Sequence, residues 1–259
     1  MESPIIFEKR GSIAYISLNR PQVFNSFNRE MALSLQEKLD ECNHDISVRV
    51  VVLRGLGKAF CAGQDLQEAI DPNGPGLPTI VNEHYNPIIL KIRHLQKPII
   101  AAVNGVAAGA GANMALACDF CIAKSSTSFI QAFSKIGLVP DSGGTFYLPR
   151  LIGMARATAL TMLGDKLNAD EAERIGMIFK SVPDEEFETF VETLASRLSE
   201  MPTRGLWLTK KALNASFDNS LEEQLRLEGV LQTEAGLTYD YKEGVNAFLE
   251  KRKAEFKGD

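Results

Sequence analysis

The sequence predicts an α/β domain built on a mainly parallel sheet, with a helical region at its C-terminal end. Three observations carry that prediction. Strand-length apolar runs at residues 13–18 and 49–54 flank a helix-compatible stretch that starts near Asn28, and strand–helix–strand order points to parallel pairing. Residues 98–103 (PIIAAV) read as a further strand and lead into NGVAAGAGANMALACD, residues 104–119, where Gly105, Gly109 and Gly111 are interleaved with alanines before a helix start. Near residue 195 the composition shifts and long amphipathic segments take over.

The elements follow in order. Residues 5–9 and 13–18 alternate like two strands joined by a turn at Arg10–Gly11. Asn28 is a candidate N-cap for a helix with Met31, Leu33, Leu35 and Leu39 as apolar contacts. The segment 55–66, GLGKAFCAGQDL, opens with GxG but lacks the third glycine and the helix of a dinucleotide fingerprint. It reads instead as an edge strand, 59–61, ending in a turn at Ala62–Gly63 with the N–H groups of Gly63 and Gln64 free for a ligand. Residues 71–78 (DPNGPGLP) form a polar loop whose composition suggests a mobile cover for a pocket. Residues 80–95 read as one amphipathic helix, with Tyr85 either facing a cavity or packed in the core. The turn at 104–111 leaves backbone N–H groups at a helix start, which suits a developing negative charge or, equally, close backbone packing.

Strand 120–123 and a serine-rich turn at 125–128 precede AFSKIGLVPDSGGT, residues 132–145. Asp141 stands there at an expected helix start, 144–151, as an N-cap or as a partly desolvated base. Helices are expected at 154–163, 169–175, 185–200, 203–217, 220–234 and 240–253, with a last strand at 178–182. The tail cations Lys251, Arg252, Lys253 and Lys257 form either a solvated face or a lid that brings lysine to a phosphate-bearing ligand. An apolar face on the C-terminal helices would be buried against a sister subunit.

The bulk numbers set limits. With 259 residues, 45% of them hydrophobic, the chain can bury a sizeable core, organised as 1–195 and a helical appendage, 196–259. A net charge of −5 gives no nucleic-acid footprint, while a local basic patch for a phosphorylated ligand stays open. The opening MESPIIFEKR has no secretory pattern, and the apolar run 98–118 is interrupted by Asn104, Asn113 and small residues, so a cytoplasmic protein without a membrane span is expected. Cys42, Cys61, Cys118 and Cys121 are expected as free thiols despite the lone CxxC. His44, His84 and His94 lie far from any cluster of metal-ligand spacing, and there is no GxSxG elbow.

SLNRP, KAFCAGQDL, KPIIAAVNGVAAGAGANMALACD, GLVPDSGGTFYLPR, NADEAERIGMI and EGVNAFLEKRKAEF, in this order, resemble the enoyl-CoA hydratase/isomerase (crotonase) superfamily over nearly the whole chain. The resemblance implies a crotonase-like spiral of βαβ units forming two near-perpendicular sheets, with a C-terminal helical trimerisation region. It also implies homotrimers or hexamers made of two trimers. The substrate would be an acyl-CoA thioester, with no separate cofactor and no metal. The thioester oxygen would sit between the backbone N–H groups of Gln64 and Ala110, and Gly109 and Gly111 would be small so that the thioester can approach. CoA would run along Lys58, Ala62, Gly63, Asp65 and Leu66, near Val23 and Phe24, with Lys251 of a neighbouring subunit among the phosphate ligands.

The chain departs from the hydratase pattern at two places. Asn113 stands where hydratases carry one glutamate, and Ala132-Phe133 replaces their Pro-Glu. Water addition needs a base and an acid, and neither Asn113 nor Phe133 serves. Asp141 resembles the acid of isomerase and dehalogenase branches. The expected activity is therefore isomerisation through an enolate, of 3-enoyl to 2-enoyl thioesters or of a ring-epoxidised phenylacetyl thioester to an oxepin. Phe133, Asn113 and Tyr85 would shape the acyl pocket. Water addition to 2-enoyl-CoA and non-catalytic acyl-CoA binding are the competing expectations.

Overall fold

The computed structural model describes residues 3–259. Strands β1 (Ile5–Arg10) and β2 (Ile13–Leu18) form an antiparallel hairpin. Its turn passes through Gly11 at φ +59, a left-handed backbone that favours glycine. Helix α1 (Arg29–His44) follows, and the Asn28 side chain accepts the Met31 N–H, as its cap position predicts. Leu35 and Leu39 are buried on its inner face, whereas Leu33 points outward.

The chain then winds as a spiral in which successive turns lay one strand in each of two sheets. β3 (Val50–Gly55) enters the first sheet and β4 (Ala59–Cys61) the second. Short helices α2 (Leu66–Ile70) and α3 (Leu77–Thr79) lead to a π-helical turn, Ile80–Tyr85, and then to α4 (Asn86–His94). The single helix expected over 80–95 is thus broken by a wider turn, where the Asn86 N–H reaches back to Val81 O. β5 (Ile99–Val103) returns to the first sheet and β6 (Val106–Ala108) to the second. Helix α5 (Ala110–Ala117) is followed by β7 (Phe120–Lys124) and β8 (Ser128–Ile130), again one strand per sheet.

A 3₁₀ segment, Ala132–Ile136, precedes α6 (Gly144–Ile152) and α7 (Met154–Leu163). β9 (Lys166–Asn168), α8 (Ala169–Arg174) and β10 (Lys180–Val182) complete the sheets. Their orders are β1-β2-β3-β5-β7-β10 and β4-β6-β8-β9. Pairing is parallel everywhere except β1/β2 and β8/β9. β4 lies at the edge of its sheet, as expected. The three-residue strands β6, β8 and β9 went unread because each is too short to show a period.

Alternation along the first sheet divides the core. Val51, Leu53, Ile99 and Ala101 face α1, α4 and α5, while Val50, Val52, Ile100 and Ala102 face the opposite side. That second side is covered by Phe187, Val191, Ala195 and Leu198 of α9 (Phe187–Ser199). Helices α10 (Thr203–Ala215), α11 (Leu221–Gly236) and α12 (Tyr239–Glu250) close the chain. α10 is anchored by the buried Lys210, whose Nζ donates to Ile92 O and Asp119 Oδ2, both at 2.9 Å. The tail folds back on its own chain: Arg252 pairs with Glu243, and Lys257 and Gly258 N–H groups donate to Asp240. No helix among the described residues is long and apolar enough to cross a membrane.

Candidate active site

β4 ends in Ala62–Gly63, and Gly63 takes φ +94, where side chains are strained. The Phe27 N–H donates to Gly63 O at 2.7 Å, and the Asp65 N–H donates to Phe27 O at 2.8 Å. This bridge fixes the peptides on both sides of Gln64. The Gln64 N–H itself reaches no acceptor among the described residues. The Gly63 N–H, expected to be free as well, points to Cys61 Sγ at 3.3 Å, so one donor and not two is presented by this turn.

The second turn leads from β6 into α5. Gly109 precedes the helix at φ +53, ψ −127, a conformation open to glycine. Ala110 is the first helical residue, so its N–H has no partner within the helix. The two turns lie against each other: a Cβ on Gly63 would stand 3.0 Å from Ala108 O and 3.7 Å from Ala110 N. A Cβ on Gly111 would stand 2.5 Å from Cys61 O and 2.6 Å from Cys61 Sγ. Gly111 is therefore required by the contact of α5 with β4. Its smallness, expected to leave room for the thioester, is already required by this contact.

Asp141 is held beside α5. The expected N-cap role fails on geometry. Ser142 and Gly143 both take left-handed conformations, and α6 starts at Gly144 with Gly143 as its cap residue. The Asp141 carboxylate stands off the helix and accepts the Ser142 hydroxyl at 2.9 Å, while its carbonyl accepts the Gly144 N–H. Burial holds this carboxyl above the ordinary aspartate value, opposed by the Ser142 hydroxyl and the residue's own backbone N–H.

Asn113 was expected to line the acyl pocket, but it is fully buried and both ends of its amide are used. Its Nδ2 donates to Asp141 O at 2.8 Å, and its Oδ1 accepts Gln131 Nε2 at 2.8 Å. Gly144 packs directly on it, since a Cβ there would fall 2.3 Å from Asn113 Nδ2. Asn113 thus ties the Asp141 peptide to the helix that carries Ala110. Phe133 is buried with its ring edge beside the Gly109 turn, 3.7 Å from where a Gly109 Cβ would be. Tyr85 is fully buried rather than lining a cavity, and its hydroxyl donates to Gln64 Oε1 at 2.9 Å. Burial raises its phenol well above the usual value, with the Cys61 thiol and the Asp141 carboxylate adding to the effect.

Around these turns, Val23 is half-buried in a 3₁₀ turn, and Phe24, Lys58, Ala62 and Leu66 are exposed. The Ala62 N–H donates to Phe24 O at 3.0 Å, which places Phe24 alongside the β4 turn. Asp65 is already engaged: its Oδ2 pairs with Arg20 at 2.9 Å and its Oδ1 caps α2 through the Gln67 N–H. Lys251 ends α12 at φ +57 and makes no ion pair among the described residues. Sequence reasoning passed over Arg20, Asn25, Phe27, Gln131 and Ser142. The signal for Arg20 and Asn25 was present in NRPQVFN: Asn25 at φ +55 donates to Leu56 O and Ala59 O and so fixes the approach to β4. A separate cleft of about 340 Å³, lined by Arg54, Asn104, Lys124 and Glu188, contains none of Gln64, Ala110 or Asp141. No group of three or more His, Cys, Asp or Glu among the described residues is arranged to hold a metal ion.

A two-sheet spiral with paired backbone-donor turns and a half-buried carboxylate defines the class: the chain belongs to the enoyl-CoA hydratase/isomerase family, which it matches over residues 8–259. It is 48% identical over 246 residues to the 1,2-epoxyphenylacetyl-CoA isomerase of Escherichia coli K12, covering 94% of each chain. It is 44% identical over 254 residues to a Rhodobacter capsulatus protein named "Probable enoyl-CoA hydratase", covering 98% of each. The crystal structure of an enoyl-CoA hydratase from Bacillus anthracis superposes with a TM-score of 0.91 at 33% identity, over 99% of this chain and 100% of that one. The chain is thus an enzyme of this superfamily with the crotonase fold.

Proposed function

We propose that this enzyme isomerises acyl-CoA thioesters through an enolate. The thioester oxygen is held by the Gln64 and Ala110 N–H groups, and Asp141 removes a proton next to the carbonyl and returns it elsewhere on the same molecule. The observation that carries the reading is Asp141: a desolvated carboxylate, free of any capping role, tied through Asn113 to the helix that begins at Ala110. Desolvation makes it a stronger base than an exposed aspartate. Two backbone donors at a forming oxyanion each account for about 3 kcal/mol of transition-state stabilisation.

Two substrates fit this chemistry: a 3-enoyl-CoA, converted to the conjugated 2-enoyl thioester, and a ring-1,2-epoxyphenylacetyl-CoA, opened to the oxepin. The identity to the Escherichia coli epoxyphenylacetyl-CoA isomerase supports the second, as does the Phe133 ring beside the Gly109 turn. Hydration is the competing reading, and the Rhodobacter relative carries that name. It requires a second acid/base group that neither Phe133 nor the fully committed Asn113 amide supplies. No cofactor takes part, since CoA belongs to the substrate.

The CoA moiety runs along Val23, Phe24, Lys58, Ala62 and Leu66, and Lys251 serves a neighbouring subunit's phosphates. The exposed apolar residues of the C-terminal helices, among them Leu221, Leu225, Leu237, Phe248 and Leu249, support burial between copies in a trimer or a hexamer of two trimers. Residues 196–259 form that assembly region on the 1–195 core, and the protein works in the cytoplasm. The test is product mass after incubation with 2-enoyl, 3-enoyl and ring-epoxide thioesters. Isomerisation leaves mass unchanged and alters retention, and its loss in Asp141→Asn ties it to that residue. A product heavier by one water, formed at high rate, overturns the reading.

A further inference from the structure

The expected oxyanion donor at Gln64 belongs to a residue whose side chain is itself held at both ends. Its Oε1 accepts the Tyr85 hydroxyl at 2.9 Å, and its Nε2 donates to Glu68 Oε2 at 3.1 Å. Tyr85 comes from the π-helical turn Ile80–Tyr85, whose extra residue displaces it relative to a regular helix. Its ring is fully buried and packs on Phe27 with centroids 5.9 Å apart. Phe27 in turn makes the two backbone hydrogen bonds that flank Gln64. Backbone and side chain of Gln64 are thus gripped by one aromatic pair.

We propose that Tyr85 is a positioning residue that keeps the Gln64 N–H aimed at the thioester oxygen by clamping the Gln64 side chain. The inference rests on the oxyanion reading given above. Tyr85 is fully buried, and its hydroxyl acts through Gln64. A peptide free to rock about Gln64 would hold the ground-state carbonyl nearly as well but would lose directed stabilisation as charge develops. The signature is therefore a fall in kcat with little change in KM.

The experiment compares the full-length parent, Tyr85→Phe, Gln64→Ala and the double variant. Phenylalanine fills the same ring volume, and Gln64→Ala breaks the same clamp from its other partner while keeping the backbone N–H, so either single variant tests the idea if the other is unstable. Turnover of a 3-enoyl-CoA is expected to fall about tenfold in each single variant, and no further in the double variant, because both remove one coupling. The second readout is the carbonyl stretching frequency of bound phenylacetyl-CoA labelled with ¹³C at its carbonyl, a thioester with no ring epoxide or double bond to isomerise. In the parent it shifts below its value in water, and in Tyr85→Phe part of that shift is lost. Parent-like turnover and shift in Tyr85→Phe, or losses that multiply in the double variant, overturn the proposal while leaving the oxyanion reading intact. Absence of any shift in the parent removes the oxyanion reading itself.

Discussion

Gly63→Ala tests the contact between the two donor turns more directly than any change at the donors. The residue sits at φ +94, and forcing an L-residue there costs about 1–3 kcal/mol. The new Cβ would also lie 3.0 Å from Ala108 O, closer than a relaxed contact by a few tenths of an ångström. That oxygen is backbone and immediately precedes Gly109 and Ala110, so relief comes from moving one donor turn away from the other. Full loss of one oxyanion donor costs roughly 10²–10³ in kcat. A displaced donor should approach the lower bound, so kcat is expected to drop about 10²-fold, with KM changed only a few-fold. The strain should lower the melting temperature by about 2–4 °C per kcal/mol for a chain of this size. Gly11→Ala is the control: it also has positive φ, at +59, but its Cβ meets nothing within 4 Å and it lies in the β1–β2 turn. Turnover is followed through the absorbance of the conjugated thioester and stability by circular dichroism. A Gly63→Ala enzyme that melts early yet turns over like the parent would refute the claim that these turns hold the reacting oxygen.

Asp141→Asn should lower kcat by about 10²–10⁴ with CoA-ester binding nearly unchanged, measured by steady-state kinetics and calorimetry. Because burial raises the folded-state pKa of Asp141, its contribution to stability is present below the unfolded carboxylate value and is lost as pH rises through the folded one. The acidic limb of kcat/KM should accordingly lie above 3.8, the ordinary aspartate value, and Asp141→Asn should melt no lower than the parent at neutral pH. Asn113→Ala strands the buried Gln131 amide and frees the Asp141 peptide, so a stability loss of about 1–3 kcal/mol should accompany a lower kcat in denaturant titrations and rate measurements. All four cysteines are buried, and burial pushes the Cys42, Cys61 and Cys118 thiols up to about 12. A thiol-titrating disulfide reagent should therefore find no reactive group until the protein is unfolded.

The spiral core was readable where period and punctuation agree. The Asn28 cap, the β4 edge strand and the Gly109 turn all carry local signals, and each appears where those signals place it. What escaped depends on contacts distant in sequence. Tyr85 could be read as cavity-facing or core, and only the π turn together with Gln64, 21 residues away, settles its hydroxyl. Asp141 looks like a cap because an aspartate precedes a glycine-rich helix start. The left-handed backbones at Ser142 and Gly143 remove it from cap geometry, and a serine at φ +52 has no sequence signature. The neighbour that makes Gly111 necessary is Cys61, on a strand that sequence spacing alone does not bring into contact with α5.

The proposed isomerisation needs one proton carrier and no added water, and the nearby carboxylates differ in how far they are free for that role. Two carboxylates, Asp65 and Glu68, lie at the Gln64 turn, and a third, Asp141, lies beside α5. Asp65 is spent on Arg20 and on the α2 cap, and Glu68 accepts both the Arg29 N–H and the Gln64 amide. Asp141 alone is bound by nothing stronger than a serine hydroxyl, and burial keeps its charged form costly. The Asn113 amide is turned inward and holds the Asp141 peptide in place. Under the proposed isomerisation, Asn113 is a strut for Asp141 as the base. In the proposed isomerisation a single base, with two backbone donors, removes a proton from carbon and gives the same proton back. Adding a second acid would change the chemistry, so Asn113→Glu would be expected to lose isomerisation, by loosening Asp141, before it gained any hydration.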